Sequence, residues 1–70
     1  MQTLVFNSTT RTIYVYDDTE FKGKRIYEMD NIPTVQVFDQ YYEVRQLNEK
    51  GVQIPVLRLP IANTIMVIKK

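Results

Sequence analysis

The chain is 70 residues long, carries nine Lys and Arg against eight Asp and Glu for a formal charge of +1, and contains neither histidine nor cysteine. A balance so near zero argues against both a strongly basic nucleic-acid binder and an acidic mimic of DNA. Without His or Cys, the usual general base at neutral pH, the usual thiol nucleophile, disulfides and thiolate–imidazole metal sites are all excluded.

A chain of this length makes one domain, residues 1–70, with a thin core. Burying about 60% of the unfolded surface of an 8.3 kDa chain removes roughly 4,500 Å² of apolar area from water. At about 25 cal/mol per Å² that is worth on the order of 110 kcal/mol. Ordering the chain costs on the order of 105 kcal/mol. The two nearly cancel, so self-association is a natural additional support. The N-terminus, Met1-Gln2-Thr3-Leu4-Val5-Phe6, has no basic stretch followed by a long apolar one, so no signal peptide is expected. The longest apolar run, Ile65-Met66-Val67-Ile68, is too short to span a bilayer. With no cysteine to oxidise, the expected location is the cytoplasm.

Alternation of apolar and polar side chains at a period of two recurs along the chain and predicts strands. Residues 3–6 form the first and 11–16 the second, joined by the polar turn Asn7-Ser8-Thr9-Thr10, whose short side chains bond to the local backbone. In the second strand Ile13 and Val15 share one face, Tyr14 and Tyr16 the other. Asp17-Asp18-Thr19-Glu20 interrupts the pattern. Residues 25–29 form a third strand, and Asp30-Asn31-Ile32-Pro33 breaks it, since proline holds its predecessor in extended geometry. Residues 34–38 form a fourth.

Residues 40–50 admit two readings. As a helix, Asp39 caps it, Tyr41, Val44 and Leu47 form the stripe, and Gly51 ends it. As a hairpin arm, Glu49-Lys50-Gly51 is a three-residue loop with glycine in the left-handed position. That register sets Asn48 opposite Val52, Gln46 opposite Ile54, Val44 opposite Val56 and Tyr42 opposite Arg58. It gathers Val44, Val52, Ile54 and Val56 on one face, and the hairpin is preferred for that reason. A slip of one residue would place Glu43 and Arg45 among the valines. Residues 52–59 then form a long strand in which Pro55 marks an edge or a bulge. Leu59-Pro60-Ile61-Ala62-Asn63 turns the chain, and residues 64–69 close it as a strand apolar on both faces, suited to a sheet interior or a subunit contact. Six or seven short strands predict an all-β fold, a small antiparallel barrel or sandwich, with α+β as the alternative if residues 40–50 are helical.

No pattern of reactive groups supports an enzyme, a metal site or a cofactor. The carboxylates of residues 17–20 lack the alternating spacing of a calcium loop and read as a solvated turn. Lys22, Lys24 and Arg25 form the local basic cluster and are candidates for an anion contact, although no phosphate loop with its following helix is present. The tyrosines carry the clearest functional hint, because tyrosine joins a rigid apolar plate to a polar tip. Tyr14 and Tyr16 on one strand face, and Tyr41 and Tyr42 beside Arg45 and Arg58, are the candidate partner-binding residues, with Arg58 expected to stack on Tyr42. The function expected is non-catalytic, stoichiometric binding of another protein or of a second copy, as an inhibitor, adaptor or assembly subunit. A small accessory protein of viral or mobile-element type would suit it. The alternative is a small nucleic-acid or nucleotide-binding barrel.

Overall fold

Extended segments with one apolar face need a second layer to cover that face, and this chain supplies two sheets that cover each other. The computed structural model describes residues 1–20 and 23–70. In chain order these form β1 (Gln2–Asn7), β2 (Thr12–Tyr16), β3 (Arg25–Met29), β4 (Val35–Val37), β5 (Tyr41–Leu47), β6 (Gln53–Pro60), a 3₁₀ turn (Ile61–Asn63) and β7 (Thr64–Lys69). The expected all-β domain is the one observed, and residues 40–50 belong to a hairpin rather than a helix. One sheet has the order β3-β2-β1-β7 and the other β4-β5-β6.

β1 and β2 pair as an antiparallel hairpin with Val5 opposite Tyr14 and Thr3 opposite Tyr16. In its turn the Asn7 side-chain oxygen accepts the backbone N–H groups of Thr9 and Thr10, both at 3.0 Å. One pairing departs from the antiparallel expectation: β7 lies parallel to β1, with Leu4 opposite Met66 and Phe6 opposite Ile68. The 3₁₀ turn carries the chain out of the second sheet and into the first, and a strand arriving from the other sheet is not bound by hairpin geometry.

The core joins both sheets through Leu4, Phe6, Ile13, Val15, Ile32, Val44 and Leu59, with Met29, Val35, Tyr42, Leu57 and Met66 packed around it. Ile32 is the member contributed by a connection. Asn31, at φ 57°, accepts the Leu47 N–H, and the Ile32 N–H donates to Arg11, both at 2.9 Å, so the segment between β3 and β4 is tied to both sheets. Asparagine tolerates that left-handed conformation better than most residues. Those bonds point Ile32 inward, where it is fully buried.

The β5–β6 hairpin has the expected loop. Asn48 N–H donates to the Val52 carbonyl and Gly51 N–H to the Asn48 carbonyl, each at 3.0 Å, with Gly51 at φ 77°. Gln46 stands opposite Ile54 as expected, but the register then shifts. Val44 faces Leu57 rather than Val56, and Tyr42 faces Leu59 rather than Arg58. Pro55 has no N–H to give the ladder, and the extra residue beside it, Val56, is accommodated as a bulge. The face expected to hold Val44, Val52, Ile54 and Val56 is therefore divided: Val44 is buried with Leu59, while Val52, Ile54 and Val56 remain exposed.

Replacing Gly51 with alanine would force a Cβ into the left-handed region with no compensating contact, since nothing lies within 4 Å of the added atom. The expected loss is about 1 kcal/mol, read as a lower urea midpoint at unchanged slope. An unchanged midpoint would contradict the loop conformation.

Candidate contact surfaces

Each sheet has an outer face dressed by tyrosine and arginine. On the four-stranded sheet, Tyr14 and Tyr16 lie over the same side as Thr3 and Val5, which are nearly inaccessible although they point away from the core. A bulge in β3, where Ile26 is the extra residue, re-aims the neighbouring Arg25. Its guanidinium carbon sits 4.5 Å from the Tyr14 ring centre and 5.5 Å from that of Tyr16. One nitrogen donates to the Tyr16 hydroxyl at 3.1 Å and another pairs with Glu28. The bond to Tyr16, and then the pairing with Glu28, hold the Arg25 pKa above its ordinary value. The Tyr14/Tyr16 face is thus a covering layer, closed by an arginine whose charge already has a partner.

That arrangement bears on the anion candidates. Lys22 lies outside the described residues. Lys24 is exposed, and its carbonyl accepts the Asp17 N–H at 3.3 Å. Arg25 turns onto the tyrosines. The acidic turn stays largely exposed but is tethered at Asp18: the Thr3 hydroxyl donates to the Asp18 carbonyl at 2.6 Å, and a Cβ on Gly23 would collide with the Asp17 carboxylate.

On the three-stranded sheet the outer face is built around Glu43, whose side chain is only 3% exposed. Glu43 and Val44 are consecutive in β5 and so point to opposite faces, the valine into the core and the carboxylate outward. Arg58 stands opposite Glu43 on β6, and Arg45 follows two positions on along β5. Arg45 Nη2 donates to Oε2 at 3.1 Å, and Arg58 Nε and Nη2 donate to Oε1 at 3.3 and 3.2 Å. The Arg58 guanidinium also lies 5.1 Å from the Tyr41 ring centre, and Tyr41 stacks on Phe38 with centroids 5.0 Å apart and planes at 24°. The result is a column, Phe38–Tyr41–Arg58–Glu43–Arg45, across the outside of the sheet. An open depression of about 500 Å³ lined by Val37, Phe38, Asp39, Gln40 and Tyr41 adjoins its aromatic end.

The stacking partner differs from expectation. Arg58 lies on Tyr41, while Tyr42 points inward opposite Leu59 and packs against the core. Phe38 and Glu43 were not singled out from sequence. The parity of β5 was the available signal for Glu43, because any register that buries Val44 turns Glu43 and Arg45 together to the other face.

No family model, curated protein or solved structure matches this chain. The functional reading therefore rests on geometry. Among the described residues there is no group of three or more Asp and Glu placed to hold a metal ion, and no helix long and apolar enough to cross a membrane.

Burial acts to raise the Glu43 pKa, but the hydrogen bonds and charges of Arg45 and Arg58 outweigh it, and the carboxyl titrates below its ordinary value. A carboxyl whose folded pKa is depressed stabilises the fold above its unfolded pKa, about 4.3, and that stabilisation is lost as pH falls through the folded value. Urea unfolding of the wild type should therefore weaken below about pH 4.3 more steeply than that of Glu43→Gln. Parallel profiles for the two proteins would show that the column does not hold the carboxylate charged.

Proposed function

We propose that this protein is a non-catalytic module that binds another protein stoichiometrically, through the outer face of the three-stranded sheet centred on Tyr41 and Arg58. The observation that carries this reading is the column itself. Arg58 is 61% exposed at its side chain yet fixed on one side by the Glu43 carboxylate and on the other by the Tyr41 ring. Tyrosine and arginine dominate binding energy at protein interfaces, and a side chain already held in place loses little freedom when a partner arrives. The depression beside Phe38 and Tyr41 suits an anchoring side chain of the partner. Two guanidiniums sharing one carboxylate leave a single positive charge on the column, which favours an acidic group opposite Arg58 and falls short of a phosphate-tracking surface. An inhibitor, an adaptor and a small assembly subunit all fit this description, and a cysteine-free chain suits action in a reducing cytoplasm.

Affinity capture from lysate of the source cells tests the reading, with wild type and Arg58→Ala as paired baits. The expected result is a protein retained in stoichiometric amount by the wild type, resistant to nuclease, and depleted on the variant. Equal retention on both baits, or retained material that nuclease removes and whose binding falls steeply with salt, would overturn it in favour of another face or a nucleic-acid ligand.

A further inference from the structure

The free edges of the two sheets differ in how they are guarded. β3 is kinked by the Ile26 bulge and carries the Arg25–Glu28 ion pair. β4 has three residues and follows Pro33. β6 carries Pro55 and the Val56 bulge and ends at Pro60. Short length, proline, bulges and charges are the devices by which sheets keep unpaired edges from recruiting a further strand. β7 has neither proline nor bulge nor short length, and its one charge stands at its last residue. It runs for six residues in unbroken register against β1, with no charge before Lys69. Ile65 and Ile68, on opposite faces, are 41% and 62% exposed.

The direction of its main-chain groups follows from one bond. Ser8 N–H donates to the Lys69 carbonyl at 2.8 Å, across the β1 side of the strand. Alternate residues of a strand turn their N–H and C=O to opposite edges. Ile65, Val67 and Lys69 therefore address β1, whereas Thr64, Met66 and Ile68 address the open edge. Thr64 N–H returns to the Ile61 carbonyl in the 3₁₀ turn. Three carbonyls and the N–H groups of Met66 and Ile68 are left facing outward.

We propose that this edge is a self-association site, at which β7 of a second copy adds antiparallel about a two-fold axis and joins two four-stranded sheets into one of eight strands. Charge selects the antiparallel sense. Parallel addition would set the Lys69-Lys70 pairs of the two copies side by side, whereas antiparallel addition centred on Val67 sets Lys69 opposite the uncharged Ile65 and Lys70 opposite the uncharged Thr64 of the other copy. In the register centred on Val67, Met66 of each copy stands opposite Ile68 of the other and Val67 opposite its own counterpart. That pairing satisfies both outward N–H groups and covers the exposed Ile68. The surface is self-complementary, as a two-fold contact requires. It involves a different sheet from the column around Arg58, so it stands or falls separately from the proposed function.

Sedimentation and amide exchange of the purified protein from about 20 μM to about 1 mM test the proposal. Expected are a dimer that dissociates on dilution, and Met66 and Ile68 amides whose exchange slows about tenfold or more as it forms, while the Val67 and Lys69 amides stay protected throughout. Ile68→Lys should abolish the dimer and Ile54→Lys, on the exposed part of β6, should leave it. If Ile68→Lys does not fold, Val67→Cys serves instead: the sole thiol in the chain should cross-link two copies on oxidation, and Ile54→Cys should not. An 8.3 kDa species at every concentration, a dimer indifferent to Ile68→Lys, or equal cross-linking through Ile54→Cys would overturn the proposal.

Discussion

Ile32→Ala is expected to lower the unfolding free energy by about 2 to 5 kcal/mol, the range for truncating a fully buried isoleucine. In a domain this small about 1 kcal/mol shifts the melting temperature by roughly 4 to 8 °C, so a fall of about 8 to 40 °C should be seen by circular dichroism. A minimal core rarely supplies more than about 3 to 5 kcal/mol, and the variant should be largely unfolded at physiological temperature. The reason is positional. Ile32 fills the space between the sheets from a connection whose backbone is pinned to Arg11 and Asn31 is pinned in turn to Leu47, so neighbouring side chains have little freedom to collapse into the cavity. Val37→Ala, at a β4 position 61% exposed, is the matched control and should stay within about 0.5 kcal/mol of wild type. Similar melting temperatures for the two variants would mean that the connection is not seated in the core.

The second large effect separates two adjacent tyrosines. Tyr41→Ala should weaken binding of the captured partner by about tenfold to a hundredfold with little loss of stability, because its ring supports Arg58 on the outer face. Tyr42→Ala should do the reverse, costing about 2 kcal/mol of stability, because Tyr42 packs against the core opposite Leu59. Arg58→Lys should resemble Tyr41→Ala rather than wild type: an ammonium keeps the charge but neither lies flat on the ring nor donates through two nitrogens to Glu43. Calorimetric titration alongside thermal melts reads both quantities. Equal binding by Tyr41→Ala and wild type would remove this face from the contact.

Much of this molecule is written locally. The alternation of Ile13 to Tyr16, and the short apolar runs Leu4–Phe6 and Ile65–Ile68 bounded by polar residues, place strands where they occur, because runs of this length are too short for a helix and suit strands covered on both faces. Gly51 announces its loop through a backbone conformation that other residues enter only at a cost. The features not legible in advance all depend on partners distant in sequence. The Val56 bulge displaced every pairing from Val44 to Tyr42, and a proline signals a bulge without fixing which residue is extra. The parallel placement of β7 beside β1 follows from how the sheets are joined, which no local pattern encodes. Ile32, within a run read as a break, is core because two hydrogen bonds, one to Arg11 in the turn before β2 and one from Leu47 of β5, orient its segment. At the site, Arg45 and Arg58 are identifiable by type and strand parity puts Glu43 on the face of Arg45, but the contact of Glu43 with Arg58 and the place of Phe38 beyond Tyr41 emerge only once β5 has a partner on each side. Tyr41 and Tyr42 are the instructive pair, since strand parity alone separates them and adjacency in sequence suggests the opposite.

The most direct test of the account is to map the partner's footprint by amide chemical-shift perturbation on isotopically labelled protein. Changes are expected to concentrate at Phe38, Tyr41, Glu43, Arg45 and Arg58, and at Gln36, which stands opposite Glu43 on β4, with the Tyr14 and Tyr16 face unaffected. A footprint on Tyr14, Tyr16 and Arg25, with the column unperturbed, would contradict it.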